Sequence, residues 1–192
     1  MKIDNLFSNY GNQIEGPLII KPEIFKDNRG FFYESWNQDL FKAKINDCIN
    51  FCQDNHSFSK FGVIRGLHYQ INPKPQGKLV RCIGGEIFDV AVDIRQSSET
   101  FGEWVSAILN NKNKNMLWIP IGFAHGFLSL KDNTEVLYKA SGKWNQDHER
   151  SIRWNDKKIN INWPLDQFSV LKPILSPKDA NAPFLNEADI FV

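Results

Sequence analysis

The sequence predicts an all-β fold, a double-stranded jelly-roll barrel with a few short helices at its periphery. Aromatic residues make up 13% of the 192, and such side chains, with β-branched ones, suit the pleated, half-buried surface of a strand. Apolar segments are short and broken by Gly, Asn, Pro or Asp, the punctuation of successive strands and turns. From Glu86 to Arg95 the pattern alternates: Phe88, Val90, Val92 and Ile94 share one face, and Asp89, Ala91, Asp93 and Arg95 the other, as a strand requires.

In chain order, strands are expected at Gly30–Trp36, Phe51–Ser57, Val63–Gln70, Lys78–Ile83, Glu86–Arg95, Trp104–Leu109, Met116–Ile119, Gly126–Leu130 and Glu135–Ala140. Gly84-Gly85 suits a hairpin turn joining the fourth of these to the fifth. Asn37–Ile45 is the helix candidate, with Asn37 as its cap and Leu40, Phe41 and Ile45 facing inward. A second short helix is expected near Asp166–Leu171. Two packed sheets accommodate this many short strands. No regular strand–helix alternation points to a parallel nucleotide-binding sheet, and there is no Gly-rich phosphate loop or internal repeat. At this length one domain spanning residues 1–192 is expected.

Charge narrows the function classes. The formal net charge is +1, whereas a general nucleic-acid binder gathers a basic excess on one face. Lys112-Asn113-Lys114 and Lys157-Lys158 are short enough to be solvated turns. No nucleic-acid partner is expected. Cys48, Cys52 and Cys82 form an odd set without a second pair or His cluster to complete a zinc site. They read as small buried hydrophobes in a reducing compartment. The N-terminus lacks the apolar stretch of a signal peptide, and no segment approaches ~18 uninterrupted apolar residues. A soluble cytoplasmic protein without a membrane partner is expected.

Candidate chemistry centres on Arg65-Gly66-Leu67-His68-Tyr69-Gln70, where an imidazole able to exchange protons near neutrality stands between a guanidinium and an amide. A half-buried strand histidine with its tip hydrogen-bonded would look the same. Lys78 and Arg81 follow closely. Arg29 and Glu34 flank Gly30-Phe31-Phe32-Tyr33, either as anion and hydroxyl contacts or as solvated strand-end charges. Gln53-Asp54-Asn55-His56 offers paired donors and acceptors for a base or sugar, or forms a side-chain-stabilised turn. His125 is a ligand contact or a satisfied core histidine. In Glu135–Ala140, Tyr138 shares a face with Val136 and Ala140. It packs there, or, facing a cavity, serves as a general acid. Asp179, after Ser176-Pro177-Lys178, belongs to a polar loop or orients a histidine. His68 is followed by neither a second His nor a Glu at metal-ligand spacing, so no metal is expected.

Taken in order, Asp27–Glu34, Gln53–His56, Arg65–Gln70, Lys78–Arg95, Trp118–Phe127, Tyr138, Arg153–Asp156, Asn162–Pro164 and Leu175–Asp179 closely resemble the dTDP-4-dehydrorhamnose 3,5-epimerase family over almost the whole chain. The resemblance implies a cupin-type jelly roll, usually a homodimer, with its site inside the barrel and no cofactor. The implied substrate is a 4-keto-6-deoxyhexose on thymidine diphosphate, in the dTDP-rhamnose pathway. Its C3 and C5 protons flank the C4 ketone, so removing either gives an enolate. By the same resemblance His68 is the base, Asp179 its orienting carboxylate, Tyr138 the acid on the opposite face and Lys78 the cation at the enolate oxygen. Arg65, Arg29, His125 and Lys178 match substrate or diphosphate contacts. Glu34, Gln53, Asn55 and Glu149 match polar contacts to the nucleotide or its surroundings. Where the family often has two tyrosines, this chain has Lys143 and Trp144. Trp144 retains a stacking surface, while base and sugar preference are left open. An epimerase acting at one carbon, or a keto-isomerase on a related sugar nucleotide, would use the same residues. A non-catalytic sugar-nucleotide-binding jelly roll would not need His68 and Tyr138 on opposite walls, and a metal-dependent cupin oxygenase would need a His-x-His pair.

Overall fold

The computed structural model describes residues 1–192. Thirteen strands are formed: β1 (Lys2–Phe7), β2 (Gln13–Lys21), β3 (Phe25–Asp27), β4 (Gly30–Phe32), β5 (Gln53–Ser59), β6 (Ile64–Gln70), β7 (Lys78–Gly84), β8 (Glu86–Asp93), β9 (Trp104–Asn110), β10 (Met116–Ile119), β11 (Phe123–Ser129), β12 (Thr134–Ala140) and β13 (Glu149–Ser151). Helix α1 (Gln38–Lys44) follows β4, and the one-turn helix α2 (Pro177–Ala180) precedes a 3-10 turn at Leu185–Glu187. The strands assemble into a six-stranded sheet, β1-β2-β10-β7-β12-β5, and a five-stranded sheet, β13-β6-β11-β8-β9. Every neighbouring pair is antiparallel. No helix is long and apolar enough to cross a membrane.

Three apolar clusters show what each sheet face does. Ile14, Ile19, Val80, Ile87, Ala91, Leu117, Phe127 and Val136 come from both sheets and close the space between them. A second cluster covers the outer face of the five-stranded sheet, where Leu67, Tyr69, Val90, Val92, Ile94 and Leu128 meet Ile159, Trp163 and Leu185 of the C-terminal segment. Asp156 staples that segment, accepting the main-chain N–H groups of Lys158, Ile159 and Leu185 at 2.7–3.0 Å. Phe41 of α1 completes a third cluster with Ile20, Leu79, Met116 and Trp118 outside the six-stranded sheet. In β8 the wholly apolar row therefore points outward under the C-terminal segment, and the row carrying Asp89 and Ala91 points into the barrel.

Several expectations are corrected. Gly84-Gly85 is not a hairpin turn: β7 pairs with β10 and β12, whereas β8 pairs with β11 and β9. The chain instead crosses between sheets there. Gly85 at φ +72° lies so close to the Thr134 side chain that a Cβ would collide with it. The strand expected over Gly30–Trp36 stops at Phe32 because it forms an isolated two-stranded hairpin with β3. Asp166–Leu171 forms turns rather than a helix, and Ser169 there takes a positive φ of 56°. Asn37 does cap α1, its Oδ1 accepting the Leu40 N–H at 3.0 Å. Leu40, however, faces outward rather than into the core, at 36% exposure.

Candidate active site

β6 and β11 run side by side in the five-stranded sheet, with His68 opposite His125. Their approach is unusually close at Gly66 and Gly126: a Cβ on Gly66 would stand 2.5 Å from the Gly126 Cα. Gly66 adopts φ +131°, a region that side-chain-bearing residues avoid. This irregular crossing, where the β6–β11 register shifts, sets the direction of His68.

His68 Nε2 lies 2.5 Å from Asp179 Oδ1. With the Nε2–H donating to the carboxylate, Nδ1 of the neutral ring carries the lone pair. Asp179 comes from α2, where Ser176 is the N-cap and Pro177 opens the first turn, a favoured start for a helix. Ser176 Oγ donates to Asp179 Oδ2 at 2.7 Å and accepts the Asp179 N–H at 3.1 Å. Burial alone would raise the Asp179 carboxyl, but hydrogen bonding to His68, its charge, Ser176 and the Gly66 N–H hold it below its ordinary value. Burial pushes His68 below the usual imidazole range, against the pull of Asp179. The side chain nevertheless keeps 29% exposure, enough to meet a ligand.

Lys78, at the start of β7 in the other sheet, donates to the His68 carbonyl at 3.1 Å. Burial lowers it to about 8, with Glu149 and Asp89 opposing the shift. Tyr138 of β12 packs against the interior cluster. Burial, then the Glu149 carboxylate, keeps its phenol protonated to higher pH than usual, while Arg65 acts the other way. His68 and Tyr138 thus stand on strands of the two facing sheets.

Glu149 of β13 is ion-paired with Lys178 at 2.6 Å. Burial would raise its carboxyl, yet Lys178, the Trp144 indole and His68 hold it low. Gln53 Oε1 accepts the Trp144 main-chain N–H at 2.9 Å, and Gln53 Nε2 donates to Asn55 Oδ1 at 2.9 Å. Asn55 lies opposite Tyr138 across β5 and β12. Arg65 donates to Ser59 Oγ and the Phe58 carbonyl at 3.0 and 2.9 Å.

Two expected residues stand apart. Arg29 sits between β3 and β4, paired with Asp27 at 2.6 Å, with its side chain 86% exposed. Glu34 accepts from Asn37 Nδ2 at 2.9 Å beside α1. His125 is linked to Asp89, which the sequence reading did not select, with Nε2 2.6 Å from Oδ1. Asp89 is completely buried and its Oδ2 has no partner. Burial raises its carboxyl despite His125. The place of Asp89 on the polar row of β8 was the available signal. For Ser176, also missed as an orienting group, the signal was a capping residue directly before proline. No group of three or more His, Cys, Asp or Glu side chains converges as a metal site.

Residues 11–187 match the profile described as dTDP-4-dehydrorhamnose 3,5-epimerase. The chain belongs to the dTDP-4-dehydrorhamnose 3,5-epimerase family. It is 52% identical over 180 residues to the dTDP-4-dehydrorhamnose 3,5-epimerase of Shigella flexneri, covering 94% of this chain and 97% of that one. Its structure is similar to a dTDP-6-deoxy-D-glucose-3,5-epimerase from Legionella pneumophila in complex with dTDP-4-keto-L-rhamnose, with a TM-score of 0.89 and 44% identity, covering 98% and 95% of the two chains. A 3'-monoepimerase from Streptomyces bikiniensis in complex with dTDP-quinovose is also similar, at TM-score 0.82 and 32% identity over 90% and 85% of the chains. As in other members of this epimerase family, the strands form a cupin-like jelly roll.

Proposed function

We propose that this epimerase inverts C3 and C5 of dTDP-4-dehydro-6-deoxy-glucose, giving dTDP-4-dehydro-rhamnose by proton transfer through an enolate, without a cofactor. The observation that carries the reading is the His68–Asp179 pair on one wall, facing Tyr138 on the other, with Lys78 beside His68. His68 takes the proton from the carbon next to the ketone, and its imidazolium is stabilised by Asp179. Electrons from the broken C–H bond move to the C4 oxygen, where Lys78 supplies the positive charge. Tyr138 returns a proton to the opposite face of that carbon; His68 then releases its proton to solvent and the phenolate takes one up, restoring both groups before the second carbon reacts. Arg65, Lys178 and His125 hold the diphosphate and sugar. Glu149, Gln53 and Asn55 shape the nucleotide end, and Trp144 stacks on the base.

We further propose that the working form is a homodimer. The β3–β4 hairpin joins neither sheet, and it exposes Phe25, Phe31 and Phe32 at 57, 56 and 72%, an apolar patch that a second copy would cover. Arg29 and Glu34 then serve substrate binding through that interface, since neither contacts the His68 site within one chain.

The likeness to the 3'-monoepimerase supports a second reading, inversion at one carbon only. Turnover in D2O decides between them. The expected result is deuterium at both C3 and C5 of the keto sugar. Label at one carbon would establish the single-carbon reading, and label at neither would leave a sugar-nucleotide-binding protein. His68→Ala should abolish exchange while dTDP still binds; retained exchange would remove His68 as the base.

A further inference from the structure

We propose that Gln70 is a positioning residue which, together with Gln53, fixes the indole of Trp144 and so sets nucleotide affinity separately from proton transfer. The inference rests on the reading of Trp144 as the base-stacking side chain.

Gln70 lies on β6 two residues beyond His68, so both side chains face the same way. It is 2% exposed. A buried amide is costly unless satisfied, and this one makes three bonds within the protein. Nε2 donates to the Lys74 carbonyl at 2.6 Å and to the Lys143 carbonyl at 3.3 Å. Oε1 accepts the Asn145 N–H at 2.8 Å. Both amide hydrogens are thus taken up within the protein, and only one lone pair of Oε1 is left.

The carbonyl of residue 143 and the N–H groups of 144 and 145 are thus tied to two glutamines on opposite sheets, Gln70 on β6 and Gln53 on β5. Asn145 Oδ1 extends the anchorage, accepting the N–H groups of Asp147 and His148 at 3.1 and 3.2 Å. Strand β13 then begins with Glu149 directly opposite Gln70; the Glu149 carboxyl, which burial would raise, is held low by Lys178 and then Trp144. Trp144 is 54% exposed on a loop that would otherwise be free to move. Fixing it in advance removes an ordering cost that ligand binding would have to meet.

The test combines calorimetric titration with dTDP and steady-state kinetics on the dTDP-keto sugar. Gln70→Met removes all three bonds, and should raise Kd and KM about 10-fold while kcat stays within about threefold. Gln70→Glu keeps the Asn145 bond but sets a carboxylate against two carbonyls, and should shift KM in the same direction. In a Trp144→Ala background, Gln70→Met should add less than about twofold, because the group it positions is gone. A fall in kcat at unchanged KM would overturn the proposal, as would an undiminished loss in the Trp144→Ala background. Trp144→Ala with unchanged dTDP affinity would refute the stacking reading and this proposal together, leaving the epimerase reading to the isotope experiment. If Gln70→Met does not fold, the Gln70→Glu series decides by the same criteria.

Discussion

His68 is held between burial, which favours its neutral form, and Asp179, which favours its charged form, and burial prevails. A base that is neutral below the usual imidazole range is already available at pH 6–7. The rate should therefore rise with pH through a value below 6.5, the ordinary imidazole figure. At the other end Lys78 must be charged, and it loses its proton at about 8, so the rate should fall as pH passes that value. Tyr138, needed as the phenol, stays protonated throughout because its own shift is upward. A kcat/KM profile against pH checks this. A plateau extending to pH 10 would exclude Lys78 as the required cation, and the alkaline limb should be absent from the residual activity of Lys78→Arg. At this scale the sequence singled out His68 by residue type, while Lys78, Tyr138 and Asp179 took their expected roles only from the family resemblance. It did not select Asp89 and offered Gln70 only as an amide near His68, and the importance of both lies in partners 36 and 75 residues away.

The elements that aim these side chains depend on a few positions where backbones touch. At the β6–β11 crossing, Gly66→Ala would place a methyl 2.5 Å from the Gly126 Cα and 2.8 Å from the His125 carbonyl oxygen, at a φ of +131°. We expect a loss of more than about 2 kcal/mol in stability, measured by urea unfolding, along with a drop in kcat as His68 is displaced. Unchanged stability would mean that the crossing relaxes freely. Strands with a strong pattern of their own were legible: Met116–Ile119 was placed to the residue and β12 within one. Those defined by pairing were not. β1 and β2 carry Asp, Asn, Gln, Glu and Pro among their apolar residues, and become strands because β10 supplies the edge on which β2 pairs. β13 is three residues long and exists as a partner of β6. Gly84-Gly85 has hairpin composition, but its destination is set by which sheet each flanking strand joins, a non-local matter.

Across the whole molecule the layers are C-terminal segment, five-stranded sheet, interior, six-stranded sheet and α1. The C-terminal segment is bound back by parallel bridges from Val63 to Ile174 and from Arg95 to Phe191, and by an ion pair of 2.6 Å between Arg150 and Asp189. We propose that residues 1–192 fold as one unit and pair as a dimer. Thermal unfolding should then show one transition whose midpoint rises with protein concentration, since dissociation accompanies unfolding. Two separated transitions would contradict the single unit. A midpoint independent of concentration, with a monomer mass in sedimentation, would contradict the dimer. The all-β class was legible from strand number and alternation and the jelly roll through the family resemblance, whereas the roles of the two faces were not. β8 shows why: Val90, Val92 and Ile94 are sealed outside the barrel beneath the chain's own tail, while the opposite row faces the reaction chamber. Structural anchorage and chemistry are therefore carried on reverse sides of one ribbon. A substitution on the inward row can thus change the lining of the chamber while leaving intact the outward seam that keeps the ribbon in place.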